Sequence, residues 1–247
     1  MPTPFTHLAI AQRYLKDDRL DASIRDALKA QEAAFLLGNT AADAHFLANL
    51  QREQTHFYRY DKPIVEHPWH KMIAEYPALE HPDNATQRAF IAGYIAHLSV
   101  DEWFAMHVTR VHFALTRWAP DKERFTMLNV ILTVMDERDQ QVLTPDLYQA
   151  LAMASPATWL PFLPDQALIQ WRDLLAKQLS PEGESLTLPI IAPRIHKSVP
   201  ELRQMLDSQD YLNEHLWQHV PADDVAKQEA AMYDFAWDQV IQFWSST

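Results

Sequence analysis

An imidazole and a carboxylate lie one helical turn apart in a strongly apolar stretch of the chain. Residues 89–108 read AFIAGYIAHLSVDEWFAMHV. Placed about 100° apart around a helix axis, they put His97 and Asp101 in the middle of the apolar face. A carboxylate there must be neutralised, hydrogen-bonded or bound to a cation. The pattern therefore indicates either a buried His–Asp pair between two helices or part of a metal site.

Two neighbours bear on that choice. Gly93 lies one turn before His97, and glycine in a helix costs about 1 kcal/mol relative to alanine. We interpret it as room for the close approach of another chain segment or of a ligand. His107 follows Asp101 on the same predicted helix and lies toward the flank of the apolar face.

The composition favours an all-α fold. The 247 residues include three glycines, too few for the turns of a β protein, and sixteen prolines at intervals that suit the ends of helices. We predict eight or nine helices around a buried metal site, in a single domain that covers residues 1–247.

The predicted helices follow capping signals and apolar spacing. Gly38 is expected to end the second helix, and Phe125 is expected to face the core. Residues 60–86 are predicted to be loop with a short helix near 70–75, and residues 181–197 to be irregular. Apart from that short helix, nine longer helices are predicted over residues 5–15, 22–37, from beyond Asp43 to about 56, 89–108, 121 onward, 145–155, 165–179, 199–219 and 223 onward.

Several functional classes are disfavoured. The chain has no cysteine, so a metal would need His, Asp or Glu ligands. A net charge of −12 disfavours tight nucleic-acid binding through the general surface. No run of 18 apolar residues and no signal-peptide pattern occurs, so we expect no transmembrane segment and a cytoplasmic location.

Residues able to bind metal recur in a fixed order along the first half of the chain. His7 is followed by Gly-x4-Asp, from Gly38 to Asp43, and then by His-Phe-Tyr at His56. Gly-Tyr-x2-His-x3-Asp-x5-His runs from Gly93 to His107. In order and spacing, roughly the first 110 residues resemble the zinc-dependent phospholipase C and S1/P1 nuclease superfamily.

The resemblance implies a set of metal ligands. It implies one to three zinc ions, although iron, manganese or nickel accept such ligands too. The first ion would be held by Asp43, His56, His97 and Asp101. Asp101 would also reach a second ion together with His7, and His107 would bind a further one.

The resemblance also implies a function. Members of this superfamily are all-helical metallo-phosphoesterases, in which a metal-bound hydroxide attacks phosphorus. The substrate would be a small phosphoester or a phospholipid head group, and Asp43 and Asp101 are the candidate catalytic residues.

A second metal site is predicted from the later helix 199–219. His215 and His219 are four residues apart, so both imidazoles lie on one face and can chelate one ion. They flank the apolar stripe of that helix. We hypothesise that they join His107 around a second metal.

Two other classes of protein are alternatives to a metal-dependent hydrolase. A ferritin-like di-metal site needs two Glu-x2-His pairs, and Glu53 to His56 is the only such pair. A non-catalytic helical scaffold or binding module with a structural metal remains the alternative. A closed four-ligand site would favour that alternative, and an open cluster would favour catalysis.

Overall fold

The computed structural model describes residues 1–246. These residues form α-helices joined by short 3-10 and π-helical segments, with no β-strand among them. The α-helices are α1 Pro4–Tyr14, α2 Ala22–Lys29, α3 Glu32–Ala41, α4 Glu53–His56, α5 Pro68–Glu75, α6 Ala85–Trp103, α7 Asp121–Val142, α8 Leu147–Ala152, α9 Asp165–Leu179, α10 Thr187–Arg194, α11 Val199–Asp207, α12 Gln209–Leu212 and α13 Ala222–Ser246. The 3-10 helices are Ala42–Ala48 and Pro77–Glu80, and the π-helices are Phe104–Leu115 and Asn213–Trp217.

The predicted all-α class is confirmed. The described residues hold thirteen α-helices, more than the eight or nine predicted, because several predicted helices are divided. None of the helices in this part of the chain is long and apolar enough to cross a membrane.

Helix α6 lies at the centre of the molecule and carries the predicted His–Asp pair. The Asn84 side chain accepts a hydrogen bond from the Gln87 backbone N–H at 2.9 Å and so caps the helix. Almost every following residue is buried, because α6 packs against α3 on one side and α13 on another. A helix that is covered on all sides is a core element, so its polar residues are isolated from bulk water.

Two glycines bring α3 and α6 into backbone contact. A Cβ atom on Gly38 would lie 2.1 Å from the Phe90 carbonyl oxygen, and one on Gly93 would lie 2.4 Å from the Phe35 carbonyl oxygen. Such separations exclude any side chain, so each helix presents a glycine to the other's backbone. The interpretation of Gly93 as room for another segment is confirmed, and that segment is α3.

The predicted helix 22–37 is divided, and Gly38 does not end it. Asp21 caps α2 through the backbone N–H groups of Ser23 and Ile24. Helix α2 ends at Lys29, and α3 starts at Glu32 and continues through Gly38 to Ala41. Glycine is common just after helix ends, but Gly38 lies inside α3 because α6 approaches so closely.

Three further predictions about local structure are wrong. Residues 181–197 contain α10. Pro189 lies in its first turn, where a backbone N–H would have no partner within the helix, so a proline there costs no hydrogen bond. The predicted helix 199–219 breaks at Ser208, whose side chain accepts from the Tyr211 backbone N–H and starts α12. Phe125 is 51% exposed, because α7 borders an open cavity there.

Candidate metal centre

The candidate ligands come from α6 and from three other elements that meet beside it. His7 is the fourth residue of α1, His56 ends α4, and His97 and Asp101 face the same side of α6. Asp43 is the second residue of the 3-10 helix Ala42–Ala48, so the close packing of α3 on α6 places it near His97.

The imidazoles of His56 and His97 both direct their Nε2 atoms toward one point. The Nε2 atoms of His56 and His97 are 3.3 Å apart. His97 donates from Nδ1 to the Asn39 carbonyl oxygen at 2.9 Å, and His56 Nδ1 lies 3.2 Å from the Arg52 carbonyl oxygen. Because carbonyl oxygens only accept, the Asn39 contact places the His97 proton on Nδ1, and the Arg52 contact favours the same tautomer for His56, whose Nδ1 also lies 3.0 Å from the Thr55 hydroxyl. In this tautomer both Nε2 atoms present lone pairs to each other, an arrangement suited to a cation between them.

Carboxylate oxygens complete this first group. Asp43 Oδ1 lies 3.4 Å from His56 Nε2, and Asp101 Oδ2 lies 3.6 Å from the same nitrogen and 3.9 Å from His97 Nε2. Asp43, His56 and His97 can all offer ligand atoms to one ion. Two nitrogen ligands about 2.05 Å from a tetrahedral zinc lie about 3.3 Å apart, so the donor set fits zinc.

A second group shares His97 and adds His7. The His7 ring stacks on the His97 ring with 4.0 Å between centroids, and His7 Nε2 lies 3.4 Å from Asp101 Oδ1. These two atoms are buried and make no hydrogen bond within the described residues, and neither does His7 Nδ1. Buried polar atoms without partners are costly, and a cation beside His7 and Asp101 would satisfy them.

Burial controls the charge of the cluster. It lowers the pKa of His97 to about 3, an effect reinforced by neighbouring His7, so His97 is a neutral imidazole at neutral pH. Burial opposes ionisation of Asp101, but the His7 contact and the positive charge of Arg52 hold the pKa of that carboxyl below its usual range. His97 is therefore neutral and Asp101 is ionised, and these are the protonation states in which the two side chains bind a metal.

Arg52 is a further polar residue of the site that the sequence analysis missed. Its Nη2 atom donates to Asp101 Oδ2 and to the Tyr58 hydroxyl, each at 2.8 Å. The guanidinium also lies over the Tyr58 and Tyr60 rings, 4.6 and 4.2 Å from their centroids. Arg52 precedes His56 by four residues, and that i, i+4 spacing was the available signal.

An open cavity of about 640 Å³ adjoins the cluster. Asp43 and Arg52 line it, together with His45. Residues from the N-terminal segment through Phe5 also line it. Burial lowers the pKa of the Met1 α-amino group to about 6, and the nearby Asp101 carboxylate opposes that shift. The cluster is thus buried on the α6 side and reachable on the Asp43 side.

The structure does not bring His107 to the cluster. Its exposed ring stacks on Trp103 with 4.0 Å between centroids, and His107 belongs to neither candidate metal group in the described residues. The reason lies in the backbone, which becomes π-helical from Phe104 to Leu115. A π-helix bonds residue i to i+5, so positions beyond Trp103 turn away from those expected for an α-helix.

His215 and His219 make contacts with different neighbours. His215 lies in the π-helix Asn213–Trp217, 3.7 Å from a Glu123 carboxylate oxygen. His219 lies beyond that helix and stacks on Trp118 with 4.5 Å between centroids. Their predicted pairing assumed a continuous α-helix, and neither belongs to a candidate metal group in residues 1–246.

Fold and site together define an all-α protein with a buried His/Asp centre suited to a metal. Residues 3–127 match the family model described as zinc dependent phospholipase C. The chain therefore belongs to the zinc-dependent phospholipase C family. The matched segment contains all of the predicted ligands except His215 and His219. No curated protein and no solved structure matches the chain.

Proposed function

We propose that this protein is a zinc-dependent phosphoester hydrolase whose ligands are His7, Asp43, His56, His97 and Asp101. The observation that carries the proposal is the pair of neutral imidazoles whose Nε2 atoms face each other at 3.3 Å beside two carboxylates. Zinc bound there would supply an activated water and positive charge for the phosphate oxygens. We also propose that residues 1–247 act as one domain, since α13 packs on α6.

The chain's own residues would orient the substrate. Asp43 is 27% exposed and lines the cavity, so it is the cluster carboxylate nearest to an incoming phosphoester. Asp101 is buried between His7 and Arg52 and would hold the cluster together. Arg52, fixed by Asp101 and Tyr58, would donate hydrogen bonds to a phosphate oxygen in the cavity.

The openness of the site favours catalysis over a structural role for the metal. A structural zinc site is closed by four protein ligands, whereas a catalytic site keeps a position for water or substrate. Here the cavity reaches Asp43 directly, and the two ligand groups share His97. A metal with a purely structural role would not need such access.

The test combines metal analysis with hydrolysis. The purified protein, loaded with zinc, is expected to hydrolyse a bis-aryl phosphate or a short-chain phospholipid, to lose activity with a chelator and to regain it with zinc. His97→Ala should lose at least one bound ion and the activity. The matched control is His81→Ala, at an exposed histidine outside both groups, which should change neither.

Two results would contradict the proposal. If the folded protein bound no zinc, the proposed metal centre would be refuted. A fully loaded protein that hydrolyses no phosphoester, with His97→Ala lowering its thermal stability, would favour the scaffold with a structural metal.

A further inference from the structure

One face of α10 forms a wall of the cavity beside the metal cluster. Four of its residues line the cavity at the i, i+3, i+4 and i+7 spacing of a single helix face, namely Thr187, Ile190, Ile191 and Arg194. The start of the helix is anchored, because the Thr187 hydroxyl donates to the carboxyl group of Asp136 on α7. Arg194, the last residue of α10, is therefore held at the end of this wall.

The guanidinium of Arg194 has no acidic partner. Arg52 is paired with Asp101, whereas Arg194 forms no ion pair with a carboxylate in the described part of the chain. The chain has 33 acidic residues against 21 basic ones, so potential partners are plentiful. A positive charge is favoured at a helix C-terminus, and here it also lies in a cavity, where it can attract an anion from outside the chain.

Both arginines act on the same group at the cavity. Burial raises the pKa of the Tyr60 hydroxyl, and the charges of Arg52 and Arg194 oppose that shift, whereas Asp101 and Asp43 reinforce it. Charges shift a pKa in this way only when they lie nearby. The two guanidinium groups and the metal cluster therefore lie within reach of one small molecule in the cavity.

The carboxyl groups that line the cavity are already engaged. Among the described residues they are Asp43 and Asp136. Asp43 contacts His56 as part of the metal cluster, and Asp136 accepts hydrogen bonds from the hydroxyls of Thr3 and Thr187. Neither is paired with Arg194, so the charge that the cavity leaves unbalanced is positive.

We propose that Arg194 binds a second anionic group of the substrate, so that the preferred substrate is a phosphoester that also carries a carboxylate or a further phosphate. The proposal rests on the proposed function and narrows its substrate class. Arg52 would orient the reacting phosphate beside Asp43, and the planar guanidinium of Arg194 would bind the distant anion through paired hydrogen bonds. A neutral or cationic group at that place would leave Arg194 without a partner.

Binding can be measured without turnover by using phosphonates, whose carbon–phosphorus bond is not a phosphoester. Propylphosphonate, 3-phosphonopropionate and 3-aminopropylphosphonate share a chain of three carbons that ends in a neutral, a negative and a positive group. Zinc-loaded protein is titrated calorimetrically with each. We expect 3-phosphonopropionate to bind at least about threefold more tightly than propylphosphonate, 3-aminopropylphosphonate to bind most weakly, and added salt to reduce the differences. Equal affinities would overturn the proposal.

Matched variants locate the second anion. Arg194→Gln should remove the advantage of 3-phosphonopropionate and leave propylphosphonate binding nearly unchanged. Arg117→Gln removes the same charge from an exposed position that does not line the cavity, and it should change neither. If the advantage persisted in Arg194→Gln, the carboxylate would be bound by another group, such as the metal, and the assignment to Arg194 would be refuted.

Arg52→Gln tests the other end of the ligand. It should weaken all three phosphonates by a similar factor, because the phosphonate group is common to them. If it removed only the advantage of 3-phosphonopropionate, Arg52 would bind the second anion, contrary to the proposal.

Two pairs of substrates distinguish a soluble phosphoester from a lipid head group. The soluble pair is 3-phosphoglycerate and glycerol 3-phosphate, and the lipid pair is short-chain phosphatidylinositol 4-phosphate and phosphatidylinositol. In each pair only the first compound carries the additional anion. A higher kcat/KM for that compound in one pair, lost in Arg194→Gln, supports the proposal and identifies the source, and turnover without preference in either pair contradicts it.

The failures of the two proposals are distinguishable. A preference for 3-phosphonopropionate that depends on Arg194, without hydrolysis of any phosphoester, would refute the proposed function and keep the role of Arg194 in binding. Hydrolysis of phosphoesters together with equal affinities for the three phosphonates would refute the role of Arg194 alone.

Discussion

Replacing Gly93 by alanine tests whether the α3–α6 contact positions the metal centre. The added Cβ would lie 2.4 Å from the Phe35 carbonyl oxygen and 3.0 Å from the Asn39 backbone nitrogen. Ordinary contacts begin at 3.4 Å, so the two backbones must separate by about 1 Å. Backbone atoms cannot rotate out of the way as a flexible side chain can.

The magnitude follows from two opposing terms. Overpacking costs about 1–3 kcal/mol, and a backbone clash lies toward the upper end of that range. Alanine recovers about 1 kcal/mol of helix propensity. The free energy of unfolding should therefore fall by about 1.5 kcal/mol, which corresponds to a Tm lower by about 3–6 °C for a chain of this size.

Metal affinity should fall as well. The Asn39 carbonyl oxygen that orients His97 belongs to α3, so a wider spacing lengthens that hydrogen bond. Loss of such an orienting contact typically costs about 10–100-fold in metal affinity. Zinc affinity is measured by competition with a fluorescent chelator, and unfolding by circular dichroism during heating of the metal-free protein.

Ile131→Val is the matched control. Ile131 is fully buried in α7, and its truncation costs about 0.5–1.5 kcal/mol without widening α3 from α6. It should lower Tm by a comparable amount and leave zinc affinity unchanged. If Gly93→Ala had wild-type stability and wild-type zinc affinity, the inference that the glycines set the geometry of the site would be wrong.

Three further predictions concern single groups. Burial raises the pKa of Asp136 from 3.8 to about 6, so its stabilising contribution is complete below pH 3.8 and is lost as the pH rises through 6. Relative to wild type, the free energy of unfolding of Asp136→Asn should therefore rise by up to about 3 kcal/mol between pH 4 and pH 8. Urea titration at both pH values measures it. A difference between variant and wild type that does not change with pH would contradict this prediction. His107→Ala is expected to keep its zinc content by elemental analysis, and loss of an ion would place His107 among the ligands. Tyr14→Phe removes a buried hydrogen bond of 2.7 Å to the Tyr233 carbonyl oxygen and should lower the free energy of unfolding by about 1–2 kcal/mol; no change would show that the bond contributes nothing.

Local sequence patterns correctly predicted helices that bury one apolar face along their length. The predicted helix 165–179 matches α9, and the last helix, predicted from residue 223 onward, starts at Ala222. Both helices have one apolar face, so spacing alone identifies them. The His97–Asp101 turn was found for a related reason, because two polar side chains interrupt a long apolar stretch.

Predictions failed where tertiary contacts change the backbone. The local pattern at Gly38 predicts a helix end, whereas its role depends on a contact with α6, whose residues lie more than fifty positions away. His107 was placed by assuming 3.6 residues per turn, and the π-helix Phe104–Leu115 has a different periodicity. Arg52 was missed because its importance arises from Asp101, which lies on another helix.

Because the proposed ligands come from separate elements, binding of a metal to them would be coupled to folding. His7, Asp43, His56 and His97 belong to four different elements, and the cluster leaves His7 and Asp101 without hydrogen bonds where they meet. An ion that binds the folded chain and not the unfolded one adds a stability of RT ln(1 + [L]/Kd). The folded population would thus depend on the zinc available to the chain, and a zinc-poor environment would lower the amount of folded protein as well as its activity.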